Sequence, residues 1–149
     1  MSKMERKTED CIFCKIARKE IPSLIVYEDE QTMAFLDISP CNKGHTLVIP
    51  KKHFVNLLDV NKEYLDAVMQ TSQKISKAVK EAVKCDGLNV SINNFKEAGQ
   101  AVMHFHVHVI SRFKDDGLES WERHKEKNWD DNEVLKEIKA KLKNEFIKI

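Results

Sequence analysis

Residues 104–110 read His-Phe-His-Val-His-Val-Ile, so that three histidines, His104, His106 and His108, alternate with apolar residues. This alternation has the period of a β-strand, in which one face would carry all three imidazoles and the other face the apolar side chains. Three adjacent imidazoles are unusual as ordinary core, because this group titrates near neutral pH, binds metals and can act as a nucleophile. The run therefore predicts a strand that carries a functional site.

Two chemistries are open to these histidines. Several of them can hold a catalytic zinc with an open water position, or one of them can attack phosphorus and form a covalent intermediate. No acidic residue adjoins them to serve as a base for metal-bound water, and the preceding loop bends easily at Gly99. Amides of this loop, with Gln100 and Asn93, can bind phosphate oxygens without a formal charge. These observations favour phosphoryl chemistry.

The composition is that of a soluble globular domain. The chain has 149 residues, of which 42% are hydrophobic and 33% charged, and its net charge is +1. A charge so close to zero argues against strong electrostatic binding to nucleic acid or to anionic lipid. No apolar run is long enough to span a bilayer, and residues 1–10 lack the apolar core of a signal peptide. We therefore expect a cytoplasmic protein that binds neither nucleic acid nor membrane.

Hydrophobic periodicity and turn signals predict an α+β fold with a mostly antiparallel sheet of about five strands. The predicted strands cover residues 24–27, 32–36, 45–50, 88–93 and 102–112. The predicted helices are a short one capped by Asp10, a long one from Asn61 to about Lys84, and a C-terminal one that follows Asp130. Residues 1–10 are expected to form a flexible tail, residues 11–112 the domain, and residues 113–149 an extension that packs on the same domain.

The run of histidines belongs to a longer pattern that resembles the histidine triad (HIT) nucleotide-binding family. Gly99-Gln100-x-Val102-x-His-x-His-x-His-Val-Ile looks like the signature of that family, and residues 11–16, 34–40 and 44–53 match its order and spacing. The resemblance covers residues 11 to about 112. It implies the HIT-like fold and an enzyme that cleaves the α-phosphate bond of purine nucleoside phosphoramidates or of (di)nucleoside polyphosphates.

The resemblance also implies catalytic roles for three histidines. His106 matches the nucleophile that attacks the α-phosphorus and becomes nucleotidylated. His108 matches the position that contacts phosphate and assists the leaving group, by hydrogen bonding or by proton donation. His45 matches a fourth histidine, which supports the site from the neighbouring strand.

The resemblance further implies a nucleotide pocket. Asp37 matches the residue that binds the ribose hydroxyls. Ala101 occupies a position where many relatives carry a serine or threonine hydroxyl, whose absence would lower efficiency toward phosphoramidates. The remaining matches are the phosphate-binding loop, Asn93, Gly99 and Gln100, and the apolar slot for the purine, Ile12, Phe13, Ile16, Phe35 and Ile38.

Cys11 and Cys14 form a C-x-x-C pair, which in a reducing compartment indicates a metal-binding or redox-active site. Two thiolates need two further ligands to close a structural zinc site. The zinc-bearing branch of the family implies that His53 and His104 complete a Cys2His2 site for structural Zn²⁺. A redox dithiol and two unligated cysteines are the alternatives.

Relatives with this core are usually homodimers, in which the long helix and a sheet edge lie at the interface. The alternative to a hydrolase is a non-catalytic nucleotide-binding regulatory module that uses the same pocket. A zinc hydrolase with the three histidines as ligands is a third hypothesis.

Overall fold

The computed structural model describes residues 8–119, 121, 123 and 126–147. The strands are β1 (Ile25–Glu28), β2 (Thr32–Leu36), β3 (Thr46–Pro50), β4 (Gly87–Ser91) and β5 (Val107–Arg112). The helices are α1 (Ile12–Ala17), α2 (Lys62–Val83) and α3 (Asp131–Ile147), with a 3-10 turn at Lys96–Ala98. Of the predicted flexible tail, residues 1–7 lie outside the described residues and residues 8–10 are helical.

The five strands form one antiparallel sheet in the order β1-β2-β3-β5-β4, which confirms the predicted α+β fold. Hydrophobic clusters cover both faces of the sheet. On one face, Val68, Ile75 and Val79 of α2 pack in a cluster with Phe105, Val107 and Val109. On the other face, Phe13 and Ile16 of α1 pack with Met33, Phe35, Leu47 and Ile49. The alternation around the histidines thus directs its apolar side chains toward α2.

Local signals account for α2. The Asn61 side chain caps the helix by accepting a hydrogen bond from the Tyr64 amide at 3.0 Å. The helix ends at Val83, and its C-cap residue, Lys84, adopts the left-handed conformation at φ 55°. The predicted long helix is confirmed.

The histidine segment departs from the prediction, because β5 begins at Val107 and not at residue 102. Pairing with β3 stops at Val48 opposite Val107. Two residues further along β3, Pro50 has no amide to donate, and its carbonyl oxygen accepts a hydrogen bond from His104 Nε2 at 2.8 Å. Only His108 of the three histidines therefore lies within the ladder, and His104 and His106 belong to the bent segment before it.

The chain divides into two compact units, residues 1–116 and residues 117–149. In the second unit, α3 follows Asp130, whose side chain accepts a hydrogen bond from the Asn132 amide at 2.8 Å. The packing of residues 113–149 on the first unit stays a prediction. No helix within the described residues is long and apolar enough to cross a membrane.

Candidate active site and metal centre

A cavity of about 360 Å³ lies on the face of the sheet that α1 covers. Its wall is largely apolar, and the titratable groups that line it are Asp37, His106 and His108. Most of the residues predicted for nucleotide binding line this cavity: Ile12, Phe13, Ile16, Phe35, Asp37, Ile38, Gly99, Ala101, His106 and His108. Ile38 is almost fully exposed and therefore forms the rim of the cavity.

Several lining residues were not among the sequence predictions. Leu47 reaches the cavity because it pairs with both Phe35 of β2 and His108 of β5. That register depends on contacts between distant segments, so no local pattern could have identified it. The other lining residues that the sequence did not suggest are Ile21, Pro22, Ser23, Leu36, Ser39 and Val102.

Gln100 and Asn93 are not among the residues that line the cavity. The Gln100 side chain is buried and bonded to backbone: Oε1 accepts from the Phe95 amide at 2.8 Å, and Nε2 donates to Val55 O at 2.6 Å and Val102 O at 3.1 Å. Its donors and acceptor are therefore engaged in holding the loop, which corrects the expectation that this side chain binds phosphate. A Cβ on Gly99, at φ +91°, would lie 3.5 Å from Asn93 Nδ2.

His106 is buried, with its ring edge-to-face against Phe13 at 5.1 Å between centroids. Its Nδ1 lies 2.6 Å from the carbonyl oxygen of His104, so Nδ1 carries the proton and donates it. Burial lowers the pKa of His106 below the ordinary 6.5. The ring is therefore neutral at pH 7 with a free lone pair on Nε2.

His108 lies between His106 and His45, with ring centroids 4.9 Å and 5.2 Å away. Its Nδ1 is 3.0 Å from His45 Nε2, and the His45 Nε2 is also 3.6 Å from Asp37 Oδ2. Burial, reinforced by the two neighbouring imidazoles, lowers the pKa of His108 to about 4. His108 is therefore neutral at pH 7.

The four residues predicted from the sequence to bind zinc also lie together in the structure. Cys11, Cys14, His53 and His104 bring four ligand atoms within 4.8 Å of one another. His104 Nδ1 is 3.4 Å from Cys11 Sγ, 3.5 Å from Cys14 Sγ and 3.2 Å from His53 Nδ1, and Cys14 Sγ is 3.3 Å from His53 Nδ1. Tetrahedral zinc places its nitrogen and sulfur ligands about 3.3–3.8 Å apart, as its bond lengths require. These residues fit a structural zinc ion.

The surroundings of His104 also suit a metal ligand. Its Nε2 donates to the Pro50 carbonyl, which leaves the lone pair on Nδ1, among the cysteine sulfurs. Cys11 rather than Asp10 is the N-cap of α1, and its sulfur accepts from the Cys14 amide at 3.4 Å. Hydrogen bonding from Cys14, more than any other contact, lowers the pKa of Cys11 to about 3. A thiolate at this position is ready to bind a cation.

Asp37, His45 and His108 form a second group with metal-ligand chemistry, but its hydrogen bonds do not suit a cation. His45 Nδ1 lies 3.0 Å from the Cys41 amide, which can only donate. The proton of neutral His45 therefore sits on Nε2, the nitrogen that faces Asp37 and His108. A metal there would displace that proton and leave the Cys41 amide opposite an N–H group. This disfavours a metal ion at Asp37, His45 and His108.

Comparison with known proteins places this architecture in a family. The HIT domain matches residues 18–115. An uncharacterized HIT-like protein of Methanocaldococcus jannaschii is 47% identical over 130 residues, which cover 87% of this chain and 99% of that one. A crystal structure of a HIT family protein from Bacillus anthracis is 38% identical with a TM-score of 0.81, covering 92% of this chain and 97% of that chain.

Two further relatives bear on the two sites. A zinc-bound histidine triad family protein from Mycobacterium smegmatis is 40% identical, with a TM-score of 0.71, and covers 80% of this chain and 86% of that chain. An adenylylsulfatase of Arabidopsis thaliana is 39% identical over 127 residues, 82% of this chain and 64% of that protein. With the family match spanning most of the first unit and relatives aligned along nearly their whole length, this chain belongs to the HIT domain family.

Proposed function

We propose that the protein is a hydrolase, or nucleotidyl transferase, that cleaves the α-phosphate bond of purine nucleoside phosphoramidates or (di)nucleoside polyphosphates through a nucleotidyl-His106 intermediate. The observation that carries this proposal is the 2.6 Å hydrogen bond from His106 Nδ1 to the His104 carbonyl. A neutral imidazole with its proton held on Nδ1 is a nucleophile at Nε2, and this ring lines the cavity.

The proposed reaction has two displacements at phosphorus. In the first, the Nε2 lone pair of His106 forms a bond to the α-phosphorus, and the bond to the leaving group breaks with its electron pair on the leaving group. Phosphate or sulfate departs as the anion, whereas an amine takes up one proton from solvent as it departs. In the second, water attacks the same phosphorus, and the electron pair of the P–N bond returns to Nε2. The water gives up one proton to solvent, and the products are a nucleoside monophosphate and free His106.

The cavity supports a nucleotide as the ligand. The apolar wall that Phe13 and Phe35 share suits the faces of a purine ring. Asp37 lines the same cavity and uses Oδ1 to accept from the Ser39 amide at 2.8 Å, which leaves lone pairs on Oδ2 for ribose hydroxyls. The backbone of Gly99 and Ala101 lines the same cavity as His106 and His108, where the α-phosphate would bind. Gln100 would hold this loop in place, because its own amide donates to the Phe95 carbonyl at 3.0 Å.

A zinc ion held by Cys11, Cys14, His53 and His104 would be structural, because four protein ligands leave no position for water. Bound there, it would supply cross-linking between α1 and the histidine segment. The residues of α1 that follow Cys11 line the cavity, so this cross-link would also hold the base-binding wall in place.

The Arabidopsis relative supports a phosphoanhydride as the substrate class, because adenylyl sulfate joins an AMP moiety to sulfate through an anhydride. We also propose that the protein is a cytoplasmic homodimer, because relatives with this core are usually homodimers. The exposed Val90 on the edge strand β4 and the exposed Met69 on α2 are consistent with such an interface.

The direct test is trapping. Wild-type protein mixed with adenylyl sulfate or a dinucleoside polyphosphate and quenched with denaturant should carry a nucleotidyl group, which peptide mass spectrometry should locate on His106. His106→Ala should form no adduct and turn over at least about 10⁴-fold more slowly, because it lacks the nucleophile.

The matched control is AMP affinity, which His106→Ala should keep within about tenfold because the apolar wall and Asp37 remain. An adduct on another residue, or full turnover by His106→Ala, would exclude the nucleophile. Binding of AMP by the wild type without turnover of any of these substrates would favour the non-catalytic nucleotide-binding module.

A further inference from the structure

We propose that His45 is a positioning residue that holds His108 in one neutral tautomer, with its proton on Nε2, through a hydrogen-bond chain that begins at the Cys41 backbone amide. Where the proposed function holds, His108 then acts as a hydrogen-bond donor to the substrate and not as a source of a whole proton. Three groups, the Cys41 amide, His45 and His108, lie in series, and the direction in which each can donate fixes the proton positions.

The hydrogen-bond chain begins at a backbone amide, which can act only as a donor. A backbone amide donates and never accepts, and the Cys41 amide lies 3.0 Å from His45 Nδ1. Nδ1 must therefore present its lone pair. Since His45 is buried and its pKa lies below the ordinary value because of that burial, the ring is neutral and its single proton is on Nε2.

The next hydrogen bond, from His45 to His108, fixes the tautomer of His108. His45 Nε2 is 3.0 Å from His108 Nδ1 and 3.6 Å from Asp37 Oδ2, so His108 is the hydrogen-bond acceptor and Asp37 is beyond hydrogen-bond range. An accepting Nδ1 leaves the proton of His108 on Nε2. A doubly protonated His108 would place two N–H groups against each other at 3.0 Å.

The groups that face His108 agree with a neutral ring. His106 and His45 lie on either side of it, and both disfavour a positive charge there, as does burial. Asp37 favours a positive charge but is outweighed by the other three influences, so the pKa of His108 falls to about 4. The hydrogen-bond chain and the electrostatic surroundings therefore select the same state.

A fixed Nε2–H has a consequence for substrate class. His108 lines the cavity next to His106, so its donor can reach a phosphate oxygen or the bridging atom of the leaving group. A neutral imidazole stabilises negative charge but does not release a proton as imidazolium does. We therefore expect a preference for leaving groups that depart as stable anions, such as phosphate or sulfate, over amines, which must be protonated as they leave.

The tautomers can be observed directly in the full-length, unliganded protein. Ring-nitrogen NMR of ¹⁵N-histidine-labelled protein at pH 7.5 distinguishes a protonated from a bare nitrogen, and His108→Gln identifies the His108 signals by their loss. We expect a bare Nδ1 and a protonated Nε2 on both His45 and His108. A proton on Nδ1 of either ring, or on both nitrogens of His108, would overturn the proposal.

Two amide substitutions separate positioning from mere packing. The oxygen of His45→Asn can accept from the Cys41 amide, but its side chain is too short to reach His108. The amide of His45→Gln reaches the place of Nε2 and can donate to His108. We expect His108 to populate both tautomers in His45→Asn and only the Nε2–H tautomer in His45→Gln. The same tautomer mixture in both variants, or in neither, would show that His45 does not direct His108.

Activity provides the second readout. With a nucleoside phosphoanhydride, kcat should fall about a hundredfold in His45→Asn, the loss typical of one preorganised donor, while KM stays within a few-fold. His45→Gln should recover most of that loss. Equal loss in both variants would contradict the positioning role. Since the NMR result needs no turnover, a protein with the expected tautomers but no activity would refute the proposed function and leave the positioning intact.

Discussion

The two ends of the histidine segment are built from similar side chains and differ in the backbone groups behind them. We call Cys11, Cys14, His53 and His104 the metal end, and Asp37, His45, His106 and His108 the phosphate end. At the metal end, His104 donates its Nε2 proton to the Pro50 carbonyl, which leaves the lone pair on Nδ1 among the sulfurs. At the phosphate end, His45 accepts from the Cys41 amide, which places a proton where a metal would need a lone pair.

This difference teaches that the partner of the second ring nitrogen decides what a histidine can do. A carbonyl that accepts from one ring nitrogen leaves a lone pair on the other, as for His104 and His106, and that lone pair can bind a metal or attack phosphorus. An amide behind the ring makes a donor of it, as for His45. Side-chain identity alone does not separate these outcomes.

The largest expected effect is the loss of zinc from the metal end, which tests whether only that end binds a metal. Cys14→Ser removes a thiolate ligand, so bound zinc should fall from one equivalent to nearly none. The free energy of unfolding should drop by about 4 kcal/mol, the stabilisation that a ligand at a thousand times its Kd provides. Elemental analysis and urea denaturation measure the two changes.

The control for this experiment is Cys41→Ser, because Cys41 is exposed and contributes its backbone amide, not its sulfur, to the phosphate end. It should keep the zinc. Cobalt substitution then tests the comparison: Cys14→Ser should lose the thiolate charge-transfer band and show no histidine-only cobalt site. Tight cobalt binding at Asp37, His45 and His108 would show that both ends bind metal and would contradict the contrast between them.

A smaller effect is expected from the loop of the phosphate end. Gln100→Ala leaves the Phe95 amide and two carbonyls without their buried partner, so we expect a loss of about 1–3 kcal/mol in unfolding free energy. AMP affinity should also fall, whereas zinc content should not change. Gln73→Ala, on the exposed side of α2, should stay within about 0.5 kcal/mol of wild type. Loss of zinc in Gln100→Ala would show that the two ends are not separable.

The last effect is the pH dependence of stability. The pKa of His108 is about 4 in the folded protein, below its ordinary 6.5, so the unfolded chain binds more protons between these values. The stability of the folded state is thus fully present above pH 6.5 and declines as pH falls toward 4, by at most about 1.4 kcal/mol per pH unit for one group. His106 and His45 act in the same direction.

Urea denaturation at pH 7.5 and pH 5 measures this decline, and His108→Gln should show a smaller one. Acid release of zinc should be the same in both proteins, because His108 is not one of the proposed zinc ligands, so the difference between them reports His108. An equal decline in the two proteins would contradict the neutral state of His108.

Much of the fold was predictable because its signals are local. Asn61 and the apolar stripe of α2 lie within one helix, and the turns that separate β1, β2 and β3 lie between neighbouring segments. The start of β5 was not predictable, because it depends on Pro50 in another strand. The same holds for Leu47, which enters the cavity through its register, and for Gln100, whose partners include the distant Val55.

The sequence by itself determined the inventory: an alternating run that separates three histidines from the residues facing α2, a cysteine pair, and a flexible glycine loop. Only the tertiary structure decided which nitrogen of each ring is free. Each hydrogen bond has a donor and an acceptor. Three backbone groups therefore fix which ring nitrogen carries the proton: His104 O, Pro50 O and the Cys41 amide. Two of the three belong to segments far from the histidine run in sequence, so the chemistry of each imidazole was settled by folding.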